Sequence, residues 1–296
     1  MPNALHFFFQ VLVLFVCAPL LSGIITKIKN NLRFRRGPSI FQPYFNLLKY
    51  FSKDEVVSVH ASWIFKITPY IVITSTTTAL LMLPVLFYGR PLIFMGDFLV
   101  IIFLLSLGRF FLILAGLDPA TTFGGMGSSR EMFIASFVEP VAMLAIFAIA
   151  LVAGSTNLQT IAQTSTINTS TIMASVALFL VALAETSRIP VDNQETHLEL
   201  TMIHEAMLLE YSGRSLGLLE LAAHLKQILF LGIISLVAFP AFVGIQFFIL
   251  KILLLCLIMA LTELSMAKMR LFRAVDFIAF AGILSIMAII ALALGV

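Results

Sequence analysis

Apolar stretches of roughly 20 residues recur from one end of this chain to the other, and that length is what a helix needs to cross a bilayer core. Only 11% of the 296 residues are charged and 60% are hydrophobic, with a mean hydropathy of +1.08. A soluble domain carries about 25% charged residues, so the composition excludes that class. The expected fold is all-α: a polytopic membrane protein with about eight transmembrane helices, at roughly 4–26, 66–87, 94–116, 132–153, 171–187, 223–241, 244–266 and 274–295.

The chain 1–296 reads as a single integral membrane domain, with loops at about 27–65, 117–131, 188–222 and 267–273. These odd-numbered loops hold 15 of the 18 basic residues, among them Arg33, Arg35, Arg36, Arg130, Arg188, Arg214, Lys226 and Lys268. By the positive-inside tendency they are cytoplasmic, both termini face out, and the protein belongs in the cell (inner) membrane. A net charge of +3 and a pI near 9.0 then describe loop topology, with no nucleic-acid partner implied. The N-terminal segment lacks the basic start of a signal peptide and reads as a retained first span. No internal repeat of the transporter kind is visible. Cys17 and Cys256 share no metal-ligand spacing, so no cofactor is expected in this chain and any electron-carrying centre belongs to a partner.

Loop one contains PYFNLLKYFSKDEV, in which Phe45, Leu48 and Phe51 lie on a different helical face from Lys49 and Lys53. That pattern predicts an amphipathic helix at the membrane surface, serving either as an interfacial anchor or as a partner-docking element.

Charge within a span costs about 2.5–3.5 kcal/mol at the centre, so each case needs a reason. Glu139, Glu185, Glu263, Arg109 and Asp276 all fall toward the loop-rich ends of their spans; Lys251 and Asp97 fall toward the other face. Five such residues on five helices predict a shared polar cavity open to the cytoplasm. Carboxylates gathered there, mutually repelling and partly desolvated, have the chemistry of a proton relay.

A second concentration is IPVDNQETHLELTMIHEAMLLEYSG, Ile189 to Gly213, which holds five of the 15 acids and no lysine or arginine. His204 and Glu205 open an HExxH-like string, but position 208 is leucine, so the zinc motif is incomplete. GGMGSSRE, Gly124 to Glu131, lacks the ending of a phosphate loop. No enzyme active site is legible. Asp192, Glu195, Glu199, Glu205 and Glu210, with His197, instead read as a cytoplasmic extension of the carboxylate cavity, covered by a protein partner.

Three features fall in a telling order: RRGP followed by an amphipathic helix and KDE; SSREMFIASFVEP; and AETSRIPVDNQETHLEL with a later EYSG. In that order the chain resembles subunit 1 of respiratory complex I over nearly its whole length. GRFFLILAGLD, THLELTMIHEAMLLEYSG and ELSMAKMRL are more similar to the hydrogenase branch of that superfamily, the hydrogenase-4 and formate hydrogenlyase membrane subunits. The resemblance puts Glu139 and Glu185 on the family's proton-path glutamates and Glu210 on its EY pair. Asp192, Glu195 and Glu199 fall on acids of the complex I loop, while His197 replaces a glutamate and Ala223 another.

The resemblance implies a membrane anchor and coupling subunit of a [NiFe]-hydrogenase-type complex. Its implied partners are peripheral hydrogenase large and small subunits, an iron–sulfur subunit and antiporter-like membrane subunits, with the nickel–iron centre and clusters held in those partners. Glu139, Glu185, Glu263 and the loop-five acids would carry coupling, and Arg36, Arg109, Arg130 and Arg188 would pair with them or dock the arm. A complex I-type subunit forming part of a quinone site is the alternative, and a stand-alone ion or solute transporter is the alternative of another class.

Overall fold

Hydrocarbon offers no partner for a backbone N–H or C=O, so a chain this apolar can cross it only as helix with its hydrogen bonds closed internally. The computed structural model describes residues 2–84, 97–164, 168–193, 202–240 and 245–295, and among them the regular structure is helical throughout. In chain order the helices are α1 (Pro2–Leu32), α2 (Gln42–Phe51), α3 (Trp63–Leu81), α4 (Phe98–Leu117), α5 (Thr122–Ala153), α6 (Leu158–Thr164), α7 (Thr169–Glu185), α8 (His204–Leu208), α9 (Gly213–Ala238), α10 (Ile245–Ser265) and α11 (Leu271–Ala293). Each of the eight expected spans has its helix. Seven are long and apolar enough to cross a membrane, and α7, with 17 residues, sits at the lower limit of what can.

Helix α9 is the centre of the bundle. It is 78% buried over its apolar window, against 50% or less in the other long spans, and it packs on α1, α2, α3, α7 and α10. Helices α4, α5, α7 and α11 pack in succession on one flank. A large apolar core of leucine, isoleucine and alanine runs through both groups, and a second, smaller one joins Phe65 of α3, Leu112 of α4, Met207 of α8 and Leu219 of α9.

Two helices begin about ten residues earlier than the hydropathy pattern indicates. The third loop shrinks to a short turn because α5 already starts at Thr122, whose neighbour Thr121 caps it by accepting a hydrogen bond from Gly124 N–H at 3.3 Å. Glycine is a poor helix former, so GGMG reads as loop. Here packing decides: Gly124 lies against the Gly116 carbonyl of α4, and Gly127 lies against Ala206 and the Ile203 carbonyl beside α8. Likewise α9 starts at Gly213, so Lys226, counted above with loop five, lies well inside a buried helix.

Loop one doubles back along α1. Gly37 meets Asn30, the Ile40 carbonyl meets Gly23, and the Tyr44 hydroxyl donates to the Val16 carbonyl. Helix α2 then crosses to α9, burying Leu47 and seating Tyr50 and Phe51 against Gly217. Phe41, Phe45 and Leu48 remain exposed on the opposite face, with Lys49 and Lys53 beside them. An exposed apolar stripe edged by lysines fits either role expected of this helix, an interfacial anchor or a docking element.

Gly23 allows the return segment its close approach: a Cβ there would lie 2.0 Å from the Ile40 carbonyl oxygen. Gly23→Ala is therefore expected to destabilise the chain by about 1–3 kcal/mol, the range for overpacking. Thermal unfolding in detergent, against an Ala substitution at exposed Leu12, measures it.

Candidate functional site

Arg109 stands on α4, 8% exposed, and a guanidinium there must find carboxylates or remain out of the fold. It finds three. Its Nε lies 3.4 Å from Glu131 and its Nη1 3.2 Å from Glu139, both on α5, while Nη2 pairs with Glu185, the last residue of α7. Lys226 of α9 approaches the same Glu185 oxygen at 2.7 Å. Glu131 and Glu139 are eight residues apart, two turns of one helix, which is why both can reach a single arginine. Glu139 has a third of its side chain exposed, whereas Glu185 has 6%. A cavity of about 60 Å³ adjoins the group, lined by Arg109, Glu131, Glu185 and Lys226 together with His204 and Leu208. Space of that size holds a few water molecules.

A second network lies alongside. Glu263 of α10, 2% exposed, pairs with Lys29 of α1 at 2.5 Å and with Arg188 at 2.9 Å. Arg188 also donates to Gln227 of α9 at 2.8 Å and to Ser22 of α1 at 3.2 Å. A polar cavity of about 90 Å³ adjoins this group, and Ser187 lines both cavities. The backbone explains the juxtaposition. After Glu185, Ser187 takes φ +51°, its N–H bonding the Ala184 carbonyl at 3.2 Å and the Arg188 N–H bonding the Leu183 carbonyl at 2.9 Å. This cap turns the chain so that Glu185 faces one network and Arg188 the other. On α9, neighbours Lys226 and Gln227 divide in the same way.

The five in-span charges thus do not share one cavity. Arg109, Glu139 and Glu185 form the first group, Glu263 belongs to the second, and Asp276 is exposed on α11. Lys251 donates to the Phe239 carbonyl at the end of α9, and Asp97 caps α4 by accepting from Leu99 N–H at 3.2 Å.

The described residues of loop five line both cavities, Asp192 the second and His204 and Leu208 the first. Asp192, 1% exposed, pairs with Lys268 at 2.7 Å and accepts from the backbone N–H of Ile203 at 3.1 Å and His204 at 3.2 Å. It ties the start of α8 to the segment after α10. Arg130 donates to the Met202 carbonyl at 3.3 Å. Glu210 is half-buried and Arg36 is exposed, neither in an ion pair among the described residues. Glu195, His197 and Glu199 lie outside the described residues. Tyr211 donates to the Phe65 carbonyl at 3.0 Å and stacks on the Phe65 ring at 4.0 Å between centroids, anchoring the loop to α3.

Burial holds the His204 imidazole below its ordinary value despite the opposing charge of Glu131. Burial, then the charges of Glu220 and Asp192, pushes Glu205 up to about 7. Among the described residues no three histidine, cysteine or acidic side chains converge as metal ligands.

Sequence reasoning missed Glu131, Lys226, Lys29, Gln227 and Ser22. The signal for Glu131 was its spacing from Glu139, hidden because the glycine run moved the apparent helix start to 132. Lys29 and Lys226 were counted as loop charges, and only packing brings Lys29 to Glu263.

Two outcomes follow from this geometry. Arg109→Gln leaves Glu131 without its cation and Glu185 with Lys226 alone, and should cost about 3–5 kcal/mol, whereas partly exposed Glu139→Gln should stay within about 1 kcal/mol. Chemical unfolding in detergent, with the Arg109→Gln/Glu185→Gln pair recovering part of the loss, tests this. A carboxyl raised by folding stabilises the fold while protonated, so the Glu205 contribution is complete below its ordinary value of 4.5 and is lost as pH rises through about 7. Glu205→Gln should therefore flatten the fall in melting temperature across that window; an unchanged profile would count against the assignment.

A family model described as NADH dehydrogenase matches residues 5–294. Formate hydrogenlyase subunit 4 of Escherichia coli (strain K12) is 33% identical over 287 residues, covering 91% of this chain and 92% of that protein. Hydrogenase-4 component C of the same organism is 34% identical over 223 residues, covering 74% and 70%. In fold, the chain is similar to one in the structure of the membrane-bound sulfane sulfur reductase, an archaeal respiratory membrane complex. The TM-score is 0.78 at 20% identity, over 96% of this chain and 99% of that one. A multi-pass helical bundle with charge networks at the ends of its spans, matched over almost its entire length, belongs to the NADH dehydrogenase family, that of complex I subunit 1.

Proposed function

We propose that this membrane subunit of a respiratory-type complex is the anchor and coupling subunit of a [NiFe]-hydrogenase-type assembly. In that reading the odd-numbered loops face the cytoplasm and loops one, three and five receive a cluster-bearing soluble arm. The arm carries the redox chemistry, and this chain passes its effect to antiporter-like membrane partners. The similarity to formate hydrogenlyase subunit 4 and hydrogenase-4 component C supports the assembly type.

The observation that carries the coupling role is the Arg109 group. Three carboxylates face two cations, leaving one formal negative charge beside a cavity of about 60 Å³. One proton neutralises it. Glu139 is the exposed member and therefore the point of entry or exit, while Glu185 sits beside the turn that places Arg188 in the second network. There Lys29 and Arg188 face Glu263 and leave the opposite formal charge among the described residues. A proton gained by the first group weakens its attraction for the cations of the second, so a charge change at loop five can move both.

A complex I-type subunit that contributes part of a quinone site is the alternative reading. Competitive binding of a quinone-site inhibitor by the purified complex, without hydrogen evolution, would favour that alternative.

Affinity purification of the tagged chain in mild detergent should recover a nickel–iron or cluster-bearing arm, and recovery of the chain alone would overturn the docking role. In proteoliposomes of the complex, Glu139→Gln should keep redox turnover with artificial carriers while losing most proton coupling. Coupling equal to wild type would remove Glu139 from the path.

A further inference from the structure

The short helix α8 sits against α4 and α5 because two glycines make room for it. A Cβ on Gly127 would lie 2.9 Å from Ala206 and 3.0 Å from the Ile203 carbonyl, and one on Gly116 would lie 3.3 Å from Met207. Ala206, Met207 and Leu208 are buried in that contact. His204, at the start of the helix, is thereby brought to the cavity of about 60 Å³ beside Arg109, and Leu208, one turn on, lines the same cavity. The buried Arg109 Nε, 3.4 Å from Glu131, makes no hydrogen bond among the described residues and so offers a donor to water held there.

His204 touches both networks. Its imidazole shares the first cavity with Arg109 of α4, Glu131 of α5, Glu185 of α7 and Lys226 of α9, and Glu205 follows it on α8. Its backbone N–H donates to Asp192 at 3.2 Å, and Asp192 lines the second cavity and pairs with Lys268 at 2.7 Å. A change at the imidazole is therefore felt at Asp192 through one residue.

The carboxylates of the first cavity are already engaged. Glu185 pairs with Arg109 and Lys226, and Glu131 with Arg109, so either one takes up a proton only by giving up an ion pair. An imidazole can bind or release a proton at one nitrogen while the other keeps its hydrogen bond. Burial opposes the imidazolium, as do the charges of Lys226 and Arg109, while Glu131 and Asp192 favour it. The group as a whole favours it too, because three carboxylates and two cations leave one formal negative charge that an imidazolium cancels.

We propose that His204 is the proton station of the Arg109 cavity, its imidazole taking a proton from the cavity water and its amide passing the resulting pull to Asp192. The inference deepens the coupling role proposed above and rests on it. Once charged, the imidazole is drawn toward Glu131, and the displacement acts on the amide hydrogen bond to Asp192 and through it on Lys268.

Proteoliposomes of the intact complex test it, with protons moved per electron pair measured for Glu139→Gln, His204→Gln, His204→Asn and His204→Ala. Glutamine and asparagine keep a polar side chain at the cavity but cannot titrate. Both should lose most of the coupling, and imidazole added to His204→Ala should restore a large part of it. Loss without rescue by imidazole means a packing role and overturns the station. Wild-type coupling in His204→Gln or His204→Asn, with Glu139→Gln uncoupled, also overturns the station and leaves the coupling role intact. Wild-type coupling in Glu139→Gln and the His204 variants alike overturns the coupling role itself. A second measurement needs no variant to assemble: infrared difference spectra of the wild-type complex, with and without isotope-labelled histidine, should show an imidazole gaining a proton during turnover. No histidine signal overturns the station.

Discussion

A guanidinium buried in an apolar bundle is tolerated only when opposite charge reaches it directly, because its desolvation is too costly otherwise. Arg109 sets that requirement, and the helices around it are arranged to meet it. Helix α5 supplies two carboxylates, the end of α7 supplies a third, and α9 adds Lys226 as counter-charge to the acid on α7. The close approach this needs is made by glycines that contribute no side chain: Gly108 against Ser75, Gly116 against Ser128, and Gly127 against the α8 segment. The glycine-rich start of α5 is thus a consequence of packing around a charge.

The second network depends on the first through two short connections. Ser187 turns the chain between Glu185 and Arg188, and the adjacent α9 residues Lys226 and Gln227 face opposite groups. Among the described residues the two networks carry opposite formal charges in neighbouring, largely buried sites, where interactions between charges are stronger than in water. In the proposed coupling role, such an arrangement would respond as a unit to an added proton or to a nearby redox change. A membrane subunit that took part in coupling, as proposed here, would need that property.

Much of this was legible in the sequence. Hydropathy located a helix for each expected span, and the rule that in-span charge needs a reason selected Arg109, Glu139, Glu185 and Glu263 but also Asp276, which is exposed on α11. The amphipathic pattern of loop one foretold α2. Helix starts at glycine-rich or polar segments were not legible, because local propensity favours loop at Gly124–Gly127 while contacts with α4 and α8 favour helix. The partners of each charge were hidden for a related reason. Lys29 and Glu263 are separated by most of the chain, and nothing in either neighbourhood indicates the other.

By itself the sequence determined the class of the protein, since apolar length and the need to close backbone hydrogen bonds leave helices as the solution in a bilayer. It also singled out some of the ionisable groups that would have to be compensated, Arg109, Glu185 and Glu263 among them, while Glu131, Lys226 and Lys29 escaped it. Only the tertiary structure decided how: two networks rather than one, with Glu185 and Arg188 parted by a single left-handed residue. Those outcomes depend on which helices touch and at what register, a property of packing between distant segments that no local pattern encodes.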